Sequence, residues 1–352
     1  MKLRRTAAAL ALGAAAATGV AVATPAHAAS YRPPVSTFPV GDPGIMWDSG
    51  QFVNFYTGWR AKVATAPYAN GPWKQVSHAM NADPVWSKQS TSTSHPAVWA
   101  PSAIKVATGK YMLTYAAQRK DSSYLRCIGV AFASKPLGPY TPATTPLSCI
   151  NGRYGAPDVM SGAASNDSVI DATPRFLTVN GSRGLYVTYK TQHSVGTKGQ
   201  PGFHYYSTIR MVRVQTASTA SSVKIWGSSH ILTTRPDNIE ENPVMVQRGN
   251  TFTLFTSLGG YTLCTYHTEY RNSTHPWSWP TTSHRLSFPS NTNTCGTGDA
   301  DVYYSPQAKA YRIFWSGRPG GAGKTNPFYL YSGELGFFSG VPKVTGVDAR
   351  KS

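Results

Sequence analysis

The acidic residues of this chain are few, and their positions indicate the chemistry that they could perform together. Among 352 residues there are only four glutamates, and two of them, Glu240 and Glu241, stand side by side just before an apolar strand. Asp42 and Asp171 also precede segments rich in apolar and aromatic residues. Carboxyl groups that meet can divide acid and base roles, because neighbouring negative charge raises the pKa of the group that must stay protonated. Whether they meet depends on the elements that carry them.

The first 28 residues have the pattern of a secretory signal peptide. Residues 1–5 are basic, residues 6–24 are nearly all small or apolar, and Ala26-His27-Ala28 fits a cleavage site. The Ala-rich composition and the Pro at position 25 disfavour a membrane-spanning helix. We therefore expect a secreted protein with no membrane partner, and a single mature domain at residues 29–352.

The mature chain is strongly basic. Without Lys2, Arg4 and Arg5, the 33 Lys and Arg fall to 30 against 15 Asp and Glu, a net charge of +15. Such a charge favours polyanions, but the sequence has neither a long Lys/Arg run nor a recognisable nucleic-acid motif. We expect no nucleic-acid partner and a monomer, with the charge serving solubility or adhesion to a cell wall.

Four cysteines in an exported chain predict disulfides, for which three connectivities exist. The favoured pairing is Cys127 with Cys149 and Cys264 with Cys295, because each pair closes a short local loop. None of these residues stands in a Cys-x-x-Cys pair, so we expect no metal site of the zinc type.

A repeat organises the mature chain. Five times a polar residue opens a short apolar stretch, and an aromatic strand follows about a dozen residues later. The openings are residues 41–47, 98–104, 168–176, 238–246 and 298–304. The aligned residues Asp42, Ser102, Asp171, Glu241 and Asp299 are separated by 60, 69, 70 and 58 residues.

This spacing suits a propeller blade of four strands with long loops. Abundant Tyr, Thr, Ser, Gly and Pro also favour strands separated by turns. We therefore predict an all-β, five-bladed β-propeller, with a β-sandwich or a pair of small β-domains as the alternative. In a propeller the first strand of each blade lines one channel, so Asp42, Asp171 and Glu241 should converge at its mouth. Such a group of carboxyls is suited to cleaving a glycosidic bond, which needs one protonated and one ionised carboxyl.

At these positions the sequence resembles glycoside hydrolase family 43, which contains arabinanases, arabinofuranosidases and xylosidases. The matching motifs are Asp42-Pro43 with Phe55-Tyr56-Thr57, Trp99-Ala100-Pro101 with Gly109-Lys110-Tyr111, Ile170-Asp171 with Phe176, and Ile239-Glu240-Glu241-Asn242-Pro243. The resemblance implies a five-bladed propeller that hydrolyses glycosidic bonds with inversion of configuration.

The resemblance also implies a role for each acid. Asp42 would be the general base, Glu241 the general acid, and Asp171 the residue that orients the acid and modulates its pKa. Glu241 aligns with the family's acid because it stands two residues before Pro243. Successive side chains of a strand point to opposite faces, so only one of the two glutamates can face the channel. Loss of Glu240 should then be the milder lesion.

The chain departs from the family at three places. Ser102 and Asn242 replace residues that are usually acidic or small, respectively. The fifth blade has Gly298-Asp299-Ala300-Asp301 where many members have a Gly-His that supports a channel ion. The sequence thus predicts that no cofactor is required, and its fifth blade does not support a channel ion such as calcium. Asp299 or Asp301 is either a fourth channel carboxylate or an ordinary turn residue.

Trp99 is the leading candidate for substrate binding, because an aromatic face can stack on the apolar face of a sugar ring. Its alternative role is packing between blades. The expected function is a secreted hydrolase of arabinose- or xylose-containing polysaccharide, with arabinan or arabinoxylan as the favoured substrate. Two alternatives are a non-catalytic carbohydrate-binding propeller and a retaining fructan-type glycosidase. The second lacks its usual Trp-x-Asn-Asp-Pro-Asn-Gly signature here.

Overall fold

Antiparallel strands dominate the computed structural model, which describes residues 32–89, 98–158, 160–216, 223–292, 294–319 and 327–352. The signal peptide predicted at residues 1–28 lies outside these ranges. Within them, no helix has the length and apolar character that crossing a bilayer requires. The one short helical segment described is a 3₁₀ turn at Ile150–Gly155.

Each predicted repeat copy forms one antiparallel sheet, in which most strands that are consecutive in sequence are also neighbours. Blade 1 comprises β1 (Gly44–Asp48), β2 (Gln51–Tyr56), β3 (Lys62–Ala66) and β4 (Lys74–His78). Blade 2 comprises β5 (Val98–Ala107), β6 (Lys110–Gln118), β7 (Arg126–Ala133) and β8 (Thr141–Pro142). The second strands are buried on both faces, since β6 packs between neighbouring blades, which explains their continuous apolar and aromatic character.

The remaining blades continue this arrangement. Blade 3 comprises β9 (Ser168–Val179), β10 (Ser182–Val195), β11 (His204–Thr216), β12 (Val223–Ile225) and β13 (His230–Arg235). Blade 4 comprises β14 (Glu240–Arg248), β15 (Thr251–Leu258), β16 (His267–Ser273) and β17 (His284–Arg285). Blade 5 comprises β18 (Thr294–Cys295), β19 (Ala300–Ser305), β20 (Ala310–Pro319), β21 (Tyr329–Phe338) and β22 (Val341–Val347).

The inner strands close into a ring. β1, β5, β9, β14 and β19 contact one another in that order, and β19 also contacts β1. The chain before β1 joins the two ends, because the N–H groups of Val35 and Val40 donate to the carbonyls of Leu330 and Phe328, both at 2.8 Å. The described residues therefore form a five-bladed β-propeller, which confirms the predicted fold.

All five inner strands carry a left-handed residue at the same end of the channel. These residues are Asp42, Ala100, Asp171, Asn242 and Asp299, with φ between 43° and 60°. We call the channel end that they surround the mouth. The strand register shifts beside Ala100, Asp171 and Asn242, as between Glu241 and Val244, so these three mark bulges, whereas Asp42 and Asp299 lie just before their strands. Asp and Asn tolerate this backbone conformation better than most residues.

These bulges correct the predicted alignment of the repeat. Ser102 and Glu241 were expected to be equivalent to Asp42, but the structurally equivalent residues are Ala100 and Asn242. Glu241 thus stands one residue before the bulge position, and Ser102 stands two residues after it. The sequence pattern did not reveal this because a bulge adds residues without changing the apolar pattern of the strand.

Hydroxyl side chains on, or directly after, the strand that follows each inner strand link each blade to the next. Every one of them bonds a backbone atom at or next to the neighbouring left-handed residue. Three hydroxyls accept a backbone N–H: Thr57 Oγ1 from Ala100 (2.9 Å), Ser257 Oγ from Asp299 (2.7 Å) and Ser316 Oγ from Asp42 (3.2 Å). Two donate to a backbone carbonyl: Thr114 Oγ1 to Ala172 (2.7 Å) and Thr188 Oγ1 to Pro243 (3.0 Å). This ring of bonds holds the inner strands in a common register at the mouth.

The disulfides have the pairing that the sequence favoured. Cys127 bonds Cys149 across 22 residues, and Cys264 bonds Cys295 across 31 residues. Cys127 lies in β7, close to the mouth, whereas the second bond joins blade 4 to β18 of blade 5.

Candidate active site

Asp42 lies at the mouth, in a left-handed backbone conformation just before β1. Its carboxylate accepts a hydrogen bond from Thr57 Oγ1, and its backbone N–H donates to Asp299 Oδ2 at 2.7 Å. Burial raises the pKa of Asp42, the Thr57 hydrogen bond opposes this rise, and the charge of Glu241 adds to it. A carboxylate with a raised pKa is a stronger base, provided that the solution keeps it ionised.

Asp171 and Asp299 perform the same structural task in blades 3 and 5. Each carboxylate accepts the backbone N–H of the left-handed residue in the next blade, Asp171 from Asn242 at 3.1 Å and Asp299 from Asp42. Burial, reinforced by the charge of Glu241, raises the pKa of Asp171 to about 7. Burial and the charge of Asp42 raise the pKa of Asp299 well above its usual value. These carboxyls therefore hold protons at pH values where most aspartates are ionised.

Glu241 reaches the same mouth from β14. Its charge acts on both Asp42 and Asp171, so the structure brings all three predicted acids together. The Oε2 atom of Glu241 accepts a hydrogen bond from Lys190 Nζ at 2.7 Å, and the Lys190 side chain is fully buried. Sequence reasoning missed Lys190, although a lysine within the apolar strand β10 was a signal that could have found it.

Glu240 belongs to a different environment. Only 1% exposed, it accepts hydrogen bonds from Thr256 Oγ1 (2.9 Å) and from the buried guanidinium of Arg271. Arg235 lies 3.4 Å from the other carboxylate oxygen. The two adjacent glutamates therefore face opposite sides of β14. Loss of Glu240 would break a buried ion pair, so the change that we expect to be mild for catalysis should be severe for stability.

Trp99 lies at the mouth with 38% of its surface exposed. The guanidinium carbon of Arg126 lies 3.3 Å from the centroid of its ring, so an arginine covers one face of the indole. The sugar platform predicted at Trp99 is thus available only on the face or edge that Arg126 leaves open. Arg126 was not predicted, because it lies on the third strand of blade 2, outside the repeat pattern.

Tyr266 is a further mouth residue that the sequence did not indicate. Burial raises its pKa well above the usual value, and the charges of Glu241 and Asp299 add to the rise. A Cβ atom at Gly298 would lie 2.4 Å from the Tyr266 ring, so glycine is required beside it. The ring of Tyr266 therefore explains why the fifth blade has glycine at position 298.

The residues at the mouth do not fit the channel ion that the resemblance raised. In the part of the chain that the structure describes, no three His, Cys, Asp or Glu side chains are grouped to hold a metal. Below the mouth, a cavity of about 10 Å³ lined by Asp42, Ser102, Asn242 and Asp301 has room for about one water molecule, not for a hydrated ion. Asp301 already accepts from Ile45 N–H at 2.7 Å and from Arg175.

Carboxyl groups that meet at one site, some protonated and some ionised, are the groups that glycoside hydrolysis requires. The sequence model of glycosyl hydrolases family 43 matches residues 31–329, which is most of the chain. The chain belongs to glycosyl hydrolases family 43 and is a glycoside hydrolase. No curated protein matches it in sequence.

Solved structures show the same fold at low sequence identity. A thermostable family-43 glycoside hydrolase superposes with a TM-score of 0.66 at 18% identity, covering 92% of this chain and 98% of that chain. An endo-1,4-beta-xylanase from Bacteroides thetaiotaomicron gives 0.61 at 16%, covering 91% and 97%. An exo-1,5-alpha-L-arabinanase from a bovine ruminal metagenomic library gives 0.62 at 14%, covering 87% and 96%.

Proposed function

We propose that this protein is a secreted, inverting glycoside hydrolase that cleaves arabinose- or xylose-containing polysaccharide of the plant cell wall. The observation that carries this proposal is the convergence of Asp42, Asp171 and Glu241, from three different blades, at one mouth. Asp171 accepts the N–H of Asn242, which follows Glu241, and the charge of Glu241 raises the pKa of both aspartates. The proposed reaction needs no cofactor, since the acid and base are protein side chains.

In the proposed mechanism, Asp42 takes a proton from a water molecule that attacks the anomeric carbon. Glu241 gives a proton to the oxygen of the leaving sugar as the glycosidic bond breaks, and the product forms with inverted configuration. Asp171 positions this acid, because its carboxylate holds the N–H of Asn242, the residue that follows Glu241. The ring of hydroxyl contacts below the mouth keeps the base and the acid at a constant separation.

The substrate class is inferred from family membership and from the names of the fold relatives. The structures of similar fold include an arabinanase and a xylanase, and both names refer to polymers of pentose sugars. Secretion is inferred from the pattern of residues 1–28 and is consistent with the disulfides, which form in oxidising compartments. We expect a monomer whose partner is a polysaccharide or oligosaccharide.

One contact supports a second function, a propeller that binds carbohydrate without cleaving it. Lys190 already donates to Glu241, whereas catalysis requires a proton to pass from this residue to the substrate. In a binding protein the same ion pair would hold the mouth rigid. Oligosaccharide titration that shows binding without turnover at every pH would favour this second function.

A substrate screen tests the leading proposal. The purified protein should release sugar from arabinan, arabinoxylan, or the 4-nitrophenyl glycosides of arabinofuranose or xylose. NMR of the first anomer should show inversion; a retained anomer would contradict it and support the fructan-type alternative. Because the pKa of Asp171 is raised to about 7, kcat/KM should fall above about pH 7 as this group ionises. D171N should remove that decline from the residual activity.

A further inference from the structure

Arg126 is held rigidly at the mouth. It is the first residue of β7, directly before the disulfide-bonded Cys127, and its backbone N–H donates to Ser168 Oγ at 3.1 Å. The side chain is only 7% exposed, and its guanidinium lies over the ring of Trp99. The strand, the disulfide and the indole together restrict where the guanidinium can point.

The guanidinium has donors without acceptors. Its Nε and Nη1 atoms are buried and have no hydrogen-bond partner among the described residues. No carboxylate of those residues forms an ion pair with it, although the charges of Asp42 and Asp171 act on it from a longer distance. Burial lowers the pKa of Arg126 to about 10, so the group is charged but poorly solvated at neutral pH. A buried donor without a partner destabilises the folded protein.

The charges around the mouth favour an uncharged acceptor. Lys190 is matched by Glu241, and the Arg126 charge faces that of Asp42. A sugar carboxylate would add a negative charge beside carboxyl groups that already raise one another's pKa. The hydroxyl oxygens of a neutral sugar accept hydrogen bonds without adding charge.

We propose that Arg126 is a substrate-binding residue whose guanidinium donates to hydroxyl oxygens of a neutral sugar at the mouth. It also directs the sugar away from the covered face of Trp99. This inference rests on the proposed function, since it names the group that binds the substrate of the same site. It extends the site to a residue outside the acids and assigns it a preference for neutral sugars over uronic acids.

Binding measured without turnover tests the proposal. In an E241Q background, calorimetry with arabinotriose and xylotriose compares Arg126 with R126M and R126K. Loss of two charge-assisted hydrogen bonds should weaken binding of the preferred trisaccharide about 10- to 100-fold in R126M, with partial recovery in R126K. An acidic xylo-oligosaccharide that carries glucuronic acid should bind more weakly than its neutral counterpart.

Arg183 provides the matched control. Its guanidinium lies over the Phe176 ring at 4.1 Å, on the large cavity at the other end of the channel. R183M should leave oligosaccharide affinity unchanged. The Tm of R126M should equal or exceed that of its parent within about 2 °C, because the donors that it removes are unpaired.

Three results would overturn the proposal. These are unchanged affinity in R126M, a large fall in its Tm together with its affinity, and the absence of oligosaccharide binding to the parent. Preferential binding of the acidic oligosaccharide through Arg126 would overturn the assignment to neutral sugars. If oligosaccharides bind through Arg126 but the wild-type protein hydrolyses none of them, the hydrolase proposal fails and the proposal for Arg126 stands. If R126M with an intact Glu241 hydrolyses them at the wild-type rate, the hydrolase proposal stands and the proposal for Arg126 fails.

Discussion

The acids of the mouth and the acids of a second cluster in blade 4 have opposite electrostatic surroundings. In this second cluster, which we call the outer cluster, Glu240 and Glu269 lie among Arg235, Arg271 and His267. Burial alone would raise the pKa of Glu269, but hydrogen bonds from His267 and Ser283 lower it overall.

At the mouth, by contrast, Asp42, Asp171 and Asp299 lie near one another and near Glu241. Burial raises the pKa of each of the three. They also stand in left-handed backbone conformations, which are unfavourable for residues other than glycine. Ion pairs therefore neutralise the acids of the outer cluster, whereas the acids of the mouth raise one another's pKa at a cost in stability, a pattern that is typical of active sites.

The largest expected effect is the loss of catalysis when either proposed proton-transfer group of the mouth is replaced. E241Q and D42N should each lower kcat/KM by about 10²- to 10⁴-fold, because each removes a proton-transfer group. D42N should change Tm little, whereas E241Q should lower it, because the buried Lys190 loses its negative partner. Initial rates on the best substrate of the screen measure this, with circular dichroism as the control for folding. Wild-type rates in either variant would show that the assigned residue is not catalytic.

The next effect is a loss of stability when Glu240, on the opposite face of β14 from Glu241, is replaced. E240A leaves the buried guanidinium of Arg271 without its carboxylate, so the free energy of unfolding should fall by about 3–5 kcal/mol. Urea unfolding measures this change. The double variant E240A/R271M should recover part of the loss, since it removes the unpaired charge as well. A stable E240A would contradict the structural role given to this residue.

A smaller effect on stability, a gain rather than a loss, is expected when Asp171 is replaced. Asp171 has a pKa of about 7 in the folded protein, against a usual value of 3.8, so the folded state binds more protons between these values. Its contribution is therefore fully present below about pH 4 and is lost as pH rises towards 7. D171N cannot ionise and should be more stable than the parent at pH 8, on the order of 2 kcal/mol, but not at pH 4. Thermal unfolding at both pH values tests this; equal stability at pH 8 would contradict the raised pKa.

The smallest effect concerns the support of the base. Asp299 accepts the N–H of Asp42 and the hydroxyl of Ser316 (2.6 Å), so it positions Asp42. D299N retains an oxygen that can accept the N–H, and kcat should fall only about tenfold, with KM nearly unchanged. A loss as large as that of D42N would instead make Asp299 a direct participant in the reaction.

Much of the fold was predictable because it rests on local patterns that recur. The five copies of an apolar stretch followed by an aromatic strand correspond to the inner strand of each sheet and the strand that follows it. Short loop closure identified the correct disulfide pairing. The alignment of the copies was wrong at Ser102 and Glu241, because bulges of left-handed residues leave the apolar pattern unchanged. Only the backbone reveals that Ala100 and Asn242 are the equivalent residues.

The sequence by itself determined the blade count, the strand order and the candidate acids Asp42, Asp171 and Glu241, since each has a repeat position or a motif. The tertiary structure alone decided which groups surround those acids. Lys190, Tyr266 and Arg126 come from second and third strands, or from the loops between them, and have no repeat signature. They reach the mouth because the blades close into a ring. Pairings across that ring depend on contacts between residues far apart in sequence, which a local pattern does not encode.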